Sequence, residues 1–378
     1  MSKQKYQIWW TDDRGNRILQ IEDWAFLNYA RIVNGISYLN LGVPLAAYGD
    51  FFVKDYKIEV WRAPRVGEKR RLEDVYIARK PKYYTRTGDN VSMIEITSAN
   101  GVSLLNERIE KFKATTSQAK KTDKIDDMMK EIVDEHMGAA AYADDPDRAV
   151  PYNLGYFRIQ ADGGLGATET KSFSYQAVMP VLKALHKLSQ QNGPKIFFDV
   201  VPVTPSIYEF RTYSTQRGSD KRFSAGKSTL LFALKNGNLR GPQLTEDNFG
   251  EKNVVYVAGE GEGTARTVVE REDTGLSKQS IWARREMYRD DRMTSTTAGL
   301  NSTGDEELGN NRPARRFISD MLSIPGSEYG VDWDLGDRAT VEYVNRLIDI
   351  QILIVYVTVT DTGEEKIYGR NEFGAFNE

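Results

Sequence analysis

Cysteine is absent from this 378-residue chain. No disulfide framework, thiol nucleophile or zinc–thiolate centre can therefore form. Histidine is nearly absent too, with only His136 and His186. A multi-histidine metal centre is excluded, and a histidine-based triad has only two starting points. Charge of one sign is also missing. The balance of 51 Lys and Arg against 54 Asp and Glu leaves a net charge of -3. That argues against a surface built as a whole for nucleic acid or an anionic membrane. Long apolar runs are lacking as well. None approaches the roughly 18 residues a membrane helix needs, and MSKQKYQIWW opens without the apolar core of an export leader. Cytosolic synthesis is expected. The most apolar stretch, IDIQILIVYVTV at 348–359, is too short and β-branched to span a bilayer and reads as one buried strand.

What is present suffices for real cores. Hydrophobic residues make up 40% and charged residues 28%, and the length suggests two or three domains. The start alternates Tyr6, Ile8 and Trp10, turns at Asp12–Asn16 and resumes at Ile18–Ile21, which predicts a hairpin. KIEVWR (57–62), DVYIAR (74–79) and VSMIEIT (91–97) continue a meander of strands, with Ile58 and Val60 alternating against Lys57, Glu59 and Trp61.

The period then changes. SLLNERIEKF places Leu104, Leu105, Ile109 and Phe112 at helical spacing, with Ser103 as the cap. DKIDDMMKEIVDEHMG aligns Ile125, Met128, Met129, Ile132, Val133 and Met137 in one stripe, with acids in its first turn and Gly138 at its end. Residues 139–155 read as a linker. A helix is expected over 174–192, with Pro180 near its first turn, followed by strands at 196–201 and 207–213. From Asn253 the chain reads as β again in NVVYVAG, RTVVERE and SIWARREMY. The polar stretch 290–311 reads as an exposed, mobile loop. ATVEYV (339–344) and the 348–359 run close the chain.

The chemical candidates are weak. Gly226-Lys227-Ser228-Thr229 matches the tail of a phosphate loop. The glycine that such a loop needs five residues earlier is Lys221, so a polar turn before TLLFAL is the better reading. GEGEG (259–263) would set Glu260 and Glu262 against any phosphate, so its glycines read as a turn or bulge between strands. Glu260, Glu262 and Asp273 lack the ligand layout of a known calcium loop. Asp144, Asp145 and Asp147 read as solvated linker acids. His136 and His186 read as helix-surface or core-edge residues, since no nucleophile motif accompanies them. Glycoside cleavage by a carboxylate pair is a spatial question that 54 acids leave open. Arg62–Arg86 holds nine Lys and Arg among Tyr76, Tyr83 and Tyr84. It reads as the solvent face and loop of a hairpin, guarded by charge, rather than a nucleic-acid surface. Arg312, Arg315 and Arg316 form a smaller basic cluster, a guess at a docking point. No catalytic, cofactor-binding or metal-ligating residue is assigned, and binding residues are left unknown.

One order of pieces stands out. IWWTDDRGNRILQIED, DYKIEVWR, GVSLLNERI and DDMMKEIVDEHMG are followed by NVVYVAGEGEGTARTVVERED, ARREMYRDDR and GVDWDLGDRATVEY. Together they resemble the baseplate hub, or tail-tip hub, family of long non-contractile-tailed bacteriophages. That family is related to contractile-phage hubs and type VI secretion spikes. The resemblance implies an α+β, mainly β fold with two β-barrel-like domains and a helical α+β domain between them. The divisions expected are 1–102, 103–235 and 236–378. It implies a structural virion protein, a homotrimer joining the sixfold tail tube and distal tail protein to a threefold tip. Tape measure, tip and fibre proteins are the further partners, in roles of host attachment and genome ejection. No enzyme activity, cofactor, metal, membrane or specific nucleic acid is expected. Arg266 is expected to pair with Glu270, Glu272 and Asp273 within the sheet or across subunits, and Leu335-Gly336-Asp337 to be a turn delivering ATVEYV.

Two other readings compete. One is a tail-associated wall hydrolase, whose activity in related tails often sits on an extra C-terminal domain. No such domain is expected between the last strand and Glu378. The other is a carbohydrate- or receptor-binding module, motivated by 20 Tyr and 6 Trp.

Overall fold

A computed structural model describes residues 2–88, 90–111, 119–141, 146–173, 175–191, 193–223, 226, 230–292 and 294–371. The chain forms two compact units. The larger comprises Met1–Arg240 and Asp320–Asn371, the smaller Gly241–Ser319 and Glu372–Glu378.

The larger unit is organised by an eleven-stranded sheet. Its order is Leu239–Asp247, Ala314–Leu322, Glu365–Arg370, Ile354–Val359, Phe26–Ile32, Tyr38–Pro44, Ser92–Asn100, Arg71–Thr85, Lys57–Arg62, Tyr6–Thr11 and Arg17–Ile21. The first two are the strands through which the chain leaves this unit and returns. The hairpin expected at the start is there, with Tyr6, Ile8 and Trp10 buried. Its turn is held by Asp12 Oδ1, which accepts from the amides of Arg14 at 2.9 Å and Asn16 at 2.7 Å. Strands from both ends of the chain meet at the pairing of Ile354–Val359 with Phe26–Ile32. Among the described residues no pairing joins the two outer strands, so the sheet does not close into the barrels that were expected. The class, α+β and mainly β, is as expected.

The helical part of this unit packs two amphipathic helices on a small sheet. Ile125–Met137 buries the whole expected stripe, Ile125, Met128, Met129, Ile132, Val133 and Met137. Val178–Gln191 buries Val181, Leu182 and Leu185 and carries Pro180 in its first turn. Both share a core with Phe198, Val200, Tyr208 and Phe210 of the paired strands Ile196–Pro202 and Tyr208–Ser214.

Several elements differ from expectation. The helix at 103 ends after one turn, Ser103–Asn106. Val102, not Ser103, is its cap, and Ile109 is exposed. Leu105 alone anchors that turn, so the apparent period beyond it had no face to bury. Phe112 lies outside the described residues. The linker read at 139–155 contains two short helical turns, Pro146–Ala149 and Val150–Asn153. The 348–359 run is two strands, not one. Arg346–Gln351 pairs with Arg338–Tyr343, and Ile354–Val359 crosses to Phe26–Ile32. The Ile352 and Leu353 amides donate to Asp337 and Arg370 at the crossing.

The smaller unit sets the strands Val268–Glu272, Val254–Ala258 and Glu286–Asp290 side by side. SIWARREMY is not one strand: it begins as an exposed turn, and only Glu286 onwards pairs. The polar stretch at 290–311, expected to be a loop, is largely the helix Thr297–Asn310. Thr296 caps it by accepting from the Gly299 amide, and Leu300 is buried on Val255 and Val257. Gly304 has a structural reason to be glycine, since a Cβ there would lie 2.5 Å from Arg271 Cγ.

Candidate functional site

The most concentrated chemistry in the larger unit is buried, around the turn DWDLGD at 332–337. Glu73 lies on the Arg71–Thr85 strand with its carboxylate fully buried. It accepts from Arg31 Nη1 at 3.3 Å, Arg71 Nε at 2.9 Å and the Tyr329 hydroxyl at 2.7 Å. Arg71 Nη1 also reaches Asp334 Oδ2 at 2.7 Å, and Arg31 reaches Asp334 Oδ1 at 3.4 Å. Burial raises the cost of the Asp334 carboxylate, yet Arg31 and Arg71 outweigh it and hold its pKa below the usual range. Arg62 is 1% exposed, stacks over Tyr329 at 5.0 Å and donates to Glu365 at 3.3 Å. Lys5 and the Tyr6 hydroxyl each reach Glu365 at 2.6 Å. Charges from residues 5–73 are thus matched by charges from 329–365. Such a network rigidifies, although Arg71 Nη2 is buried without a hydrogen-bond partner, and removal of one member strands a buried charge.

The Arg62–Arg86 run is therefore corrected. It is not simply a solvated face. Arg62 and Arg71 belong to the interior network, Tyr76 is buried, and Arg65 and Arg79 pair with Glu328 and Asp55, both at 2.7 Å. The turn expected at Leu335-Gly336-Asp337 is present. Gly336 has a φ of +86° where it meets Gly218, and the strand Arg338–Tyr343 follows.

Beside the network lies a polar cavity of about 120 Å³, lined by Arg31, Glu73, Asp74, Asn100, Asp199 and Arg217 among others. Asp74 is bound by the Val75 amide at 2.8 Å and Asn100 Nδ2 at 3.2 Å. Burial, with Asp199 adding to it against Arg31, pushes Asp74 up to about 7. Arg217 ion-pairs with Asp199 at 2.6 Å. The cavity is sized for ordered water, and the hydroxyl in its lining, Ser37 Oγ, accepts from the Ile32 amide at 3.0 Å. Among the described residues, no group of three or more His, Asp or Glu could hold a metal.

The remaining candidates are dispersed. His136 is fully buried rather than at a helix surface, and burial, with Arg148 second, lowers its pKa to about 4. His186 is half-buried, its Nδ1 at 2.6 Å from the Ile196 carbonyl oxygen. Lys227, Ser228, Thr229, Asp144 and Asp145 lie outside the described residues, as does the side chain of Arg315. In GEGEG, Gly261 and Gly263 take positive φ of 105° and 55°, and Glu260 and Glu262 are exposed. Within the chain, Arg266 pairs with none of Glu270, Glu272 and Asp273. It donates to the Gly259 and Ala258 carbonyls and to Asp290, which the turn brings within reach. Glu270 pairs with Arg284 at 2.9 Å, and Asp273 caps the helix Thr274–Ser277. Arg312 reaches Asp273 at 3.6 Å. Of the six tryptophans, Trp10, Trp24 and Trp333 are buried and Trp9 lies under the Arg17 guanidinium at 4.5 Å. Trp61 donates to Glu59, and Trp282 alone is strongly exposed, so no coplanar row for sugars exists among them.

The family model for the Siphovirus ReqiPepy6 Gp37-like protein matches residues 5–368. The chain belongs to that family. No curated protein matches it. Among solved structures, it is similar to a prophage MuSo2 43 kDa tail protein from Shewanella oneidensis, at TM-score 0.57 and 11% identity over 97% of both chains. It is similar to a tail protein from Neisseria meningitidis MC58, at TM-score 0.56 and 10% identity over 97% of this chain and 96% of that one. The prophage tail protein gp18 from Listeria monocytogenes EGD-e gives 0.52 and 10%, over 98% and 95%. The fold is thus that of phage tail proteins, in line with the resemblance read from the sequence.

Proposed function

We propose that the chain is a structural component of the phage tail, the trimeric hub of the tail tip, without catalytic activity. Three copies form a ring that joins the sixfold tail tube and distal tail protein to a threefold tip. Its other partners are the tape measure protein and tip or fibre proteins, and it serves host attachment and genome ejection. It acts in the virion tail after synthesis in the host cytoplasm. The observation that carries this reading is a fold shared with phage tail proteins over 97% of the chain, within a siphovirus family. The buried network supports it, because its charges are spent on one another rather than presented to a substrate. Electron microscopy of the purified chain tests the reading. Ring-shaped particles with threefold symmetry are expected, and a field of single-chain particles at every concentration contradicts it.

A further inference from the structure

The smaller unit exposes Phe249 singly, at 94%, and one adjacent apolar pair. Ile281 is 90% exposed and Trp282 82% exposed, and both sit at the tip of a turn. The turn is rigid. The Trp282 amide donates to Ser280 Oγ, and the Ala283 amide donates to the Ser280 carbonyl. Asn253, fully buried, clamps its base. Its Nδ2 donates to the Ala283 carbonyl at 2.7 Å, and its Oδ1 accepts from the Arg285 amide at 2.8 Å. A bare Ile-Trp pair on a fixed turn carries the features of an interface anchor, because the entropy of ordering the loop is already spent. Lys278 and Arg285 flank it, and neither has an acidic partner within ion-pair distance among the described residues.

The larger unit carries a surface of the opposite character. Phe51, 43% exposed, lines a small, nearly closed apolar gap together with buried Trp10 and with Leu19, Tyr48 and Phe52. Its volume of about 10 Å³ admits no side chain, so the apolar surface open to a partner here is Phe51 and Val53, 43% and 44% exposed. The edge is acidic. Glu22 and Asp23 hold the Tyr48 hydroxyl through their amides, at 3.3 Å each, and Asp50 precedes the exposed Phe51. None of these three acids has a cationic partner among the described residues. Lys54 is the nearest basic residue along the chain.

We infer that the Ile281–Trp282 turn of one copy docks on the Phe51–Val53 surface of a second copy, with Lys278 and Arg285 facing Glu22, Asp23 and Asp50. The apolar anchor, its cationic flanks and the acid-edged apolar receiver are complementary in both chemistry and charge. The contact joins two different surfaces, so it is head-to-tail, the kind that builds rings when its rotation closes. This inference rests on the self-association proposed above and names the surfaces that carry it.

The cysteine-free chain gives a clean test. Trp282→Cys and Phe51→Cys are made separately in the full chain, mixed one to one and mildly oxidised. A disulfide-linked dimer of one copy of each variant is expected, with little product from either variant alone. Ile281→Ala with Trp282→Ala is expected to bring the light-scattering mass down to that of one chain with unchanged circular dichroism. Cross-linking of Trp282→Cys with itself, or no cross-link and unchanged mass in the alanine variant, overturns the surface assignment while leaving the multi-copy hub intact. In the second case the turn faces some other tail component. A wild-type chain that is monomeric at every concentration overturns both readings.

Discussion

The two units spend charge in opposite ways. In the larger unit the pairs of Arg62 with Glu365 and of Arg31 with Glu73 are buried, and an extended apolar core fills the helical part beside its sheets. In the smaller unit Arg284 bridges Glu270 and Glu286 at the surface, and Arg271 and Asp305 are both about half exposed. Only Val255, Val257 and Leu300 form its buried cluster among the described residues, with Val269, Met287 and Leu308 packed against it. Surface pairs contribute little to stability, whereas a buried pair becomes costly once one member is lost. The larger unit is therefore specified by charge as well as by volume. The smaller unit has a smaller buried set, and while Phe317 is buried, Phe249, Ile281 and Trp282 are exposed.

The sharpest way to break this contrast is at Glu73. Glu73→Ala leaves Arg31, Arg71 and the Tyr329 hydroxyl without their shared acceptor and is expected to cost about 3–5 kcal/mol. Denaturant unfolding checks this, and a loss no larger than that of the surface change Glu270→Ala removes the distinction. Asp74 gives a pH signature. Its folded pKa, about 7, lies above the ordinary 3.8. Its contribution to stability is therefore fully present below about 3.8 and lost as pH rises through 7. Asp74→Asn mimics the protonated form. Its advantage over the natural chain should grow between pH 4 and 7, up to about 4 kcal/mol. His136 slopes the other way. Its folded pKa of about 4 lies below the ordinary 6.5, so stability is present above 6.5 and lost toward 4. Over pH 4–6.5 these two contributions oppose each other, and Asp74→Asn should leave the histidine contribution unopposed. A variant whose advantage is independent of pH contradicts the assignment.

In the smaller unit, Leu300→Ala should cost about 3 kcal/mol. Hydrogen exchange should quicken in 254–272 while the amides of 125–137 keep their protection. Equal loosening of both would show that the units do not differ as described. The smallest effect is expected at the turn. Glu260→Gln with Glu262→Gln should change stability by no more than about 0.5 kcal/mol and leave assembly intact. A collapse of assembly there would show that GEGEG does more than shape backbone.

What was legible in the sequence follows the same physics. The first hairpin and the helices at 125–137 and 178–191 announced themselves, because a single buried face imposes its period on the residues. The strands Phe26–Ile32 and Tyr38–Pro44 were passed over, although both lie at the centre of the sheet. The hairpin before Ile348 was hidden because its turn uses Val344 and Asn345 at positive φ, with no glycine to mark it. The helix at 297–310 shows no stripe, since one leucine, one cap and one close glycine hold it. The ion network could not be read locally at all. Arg31 and Asp334 are 303 positions apart, and DWDLGD stood out only through family resemblance. Arg62 and Arg71 lay within the basic run at 62–86 and Asp334 within DWDLGD, but none was read as a member of an ion pair. The exposed Ile281–Trp282 pair was misread as strand because aliphatic and aromatic residues carry the same signal whether they face a core or another molecule.

The most direct test of the hub account is the solution mass of the full chain by light scattering over a range of concentrations. The account predicts a species of three times 42.9 kDa. A mass of 42.9 kDa at every concentration would contradict it.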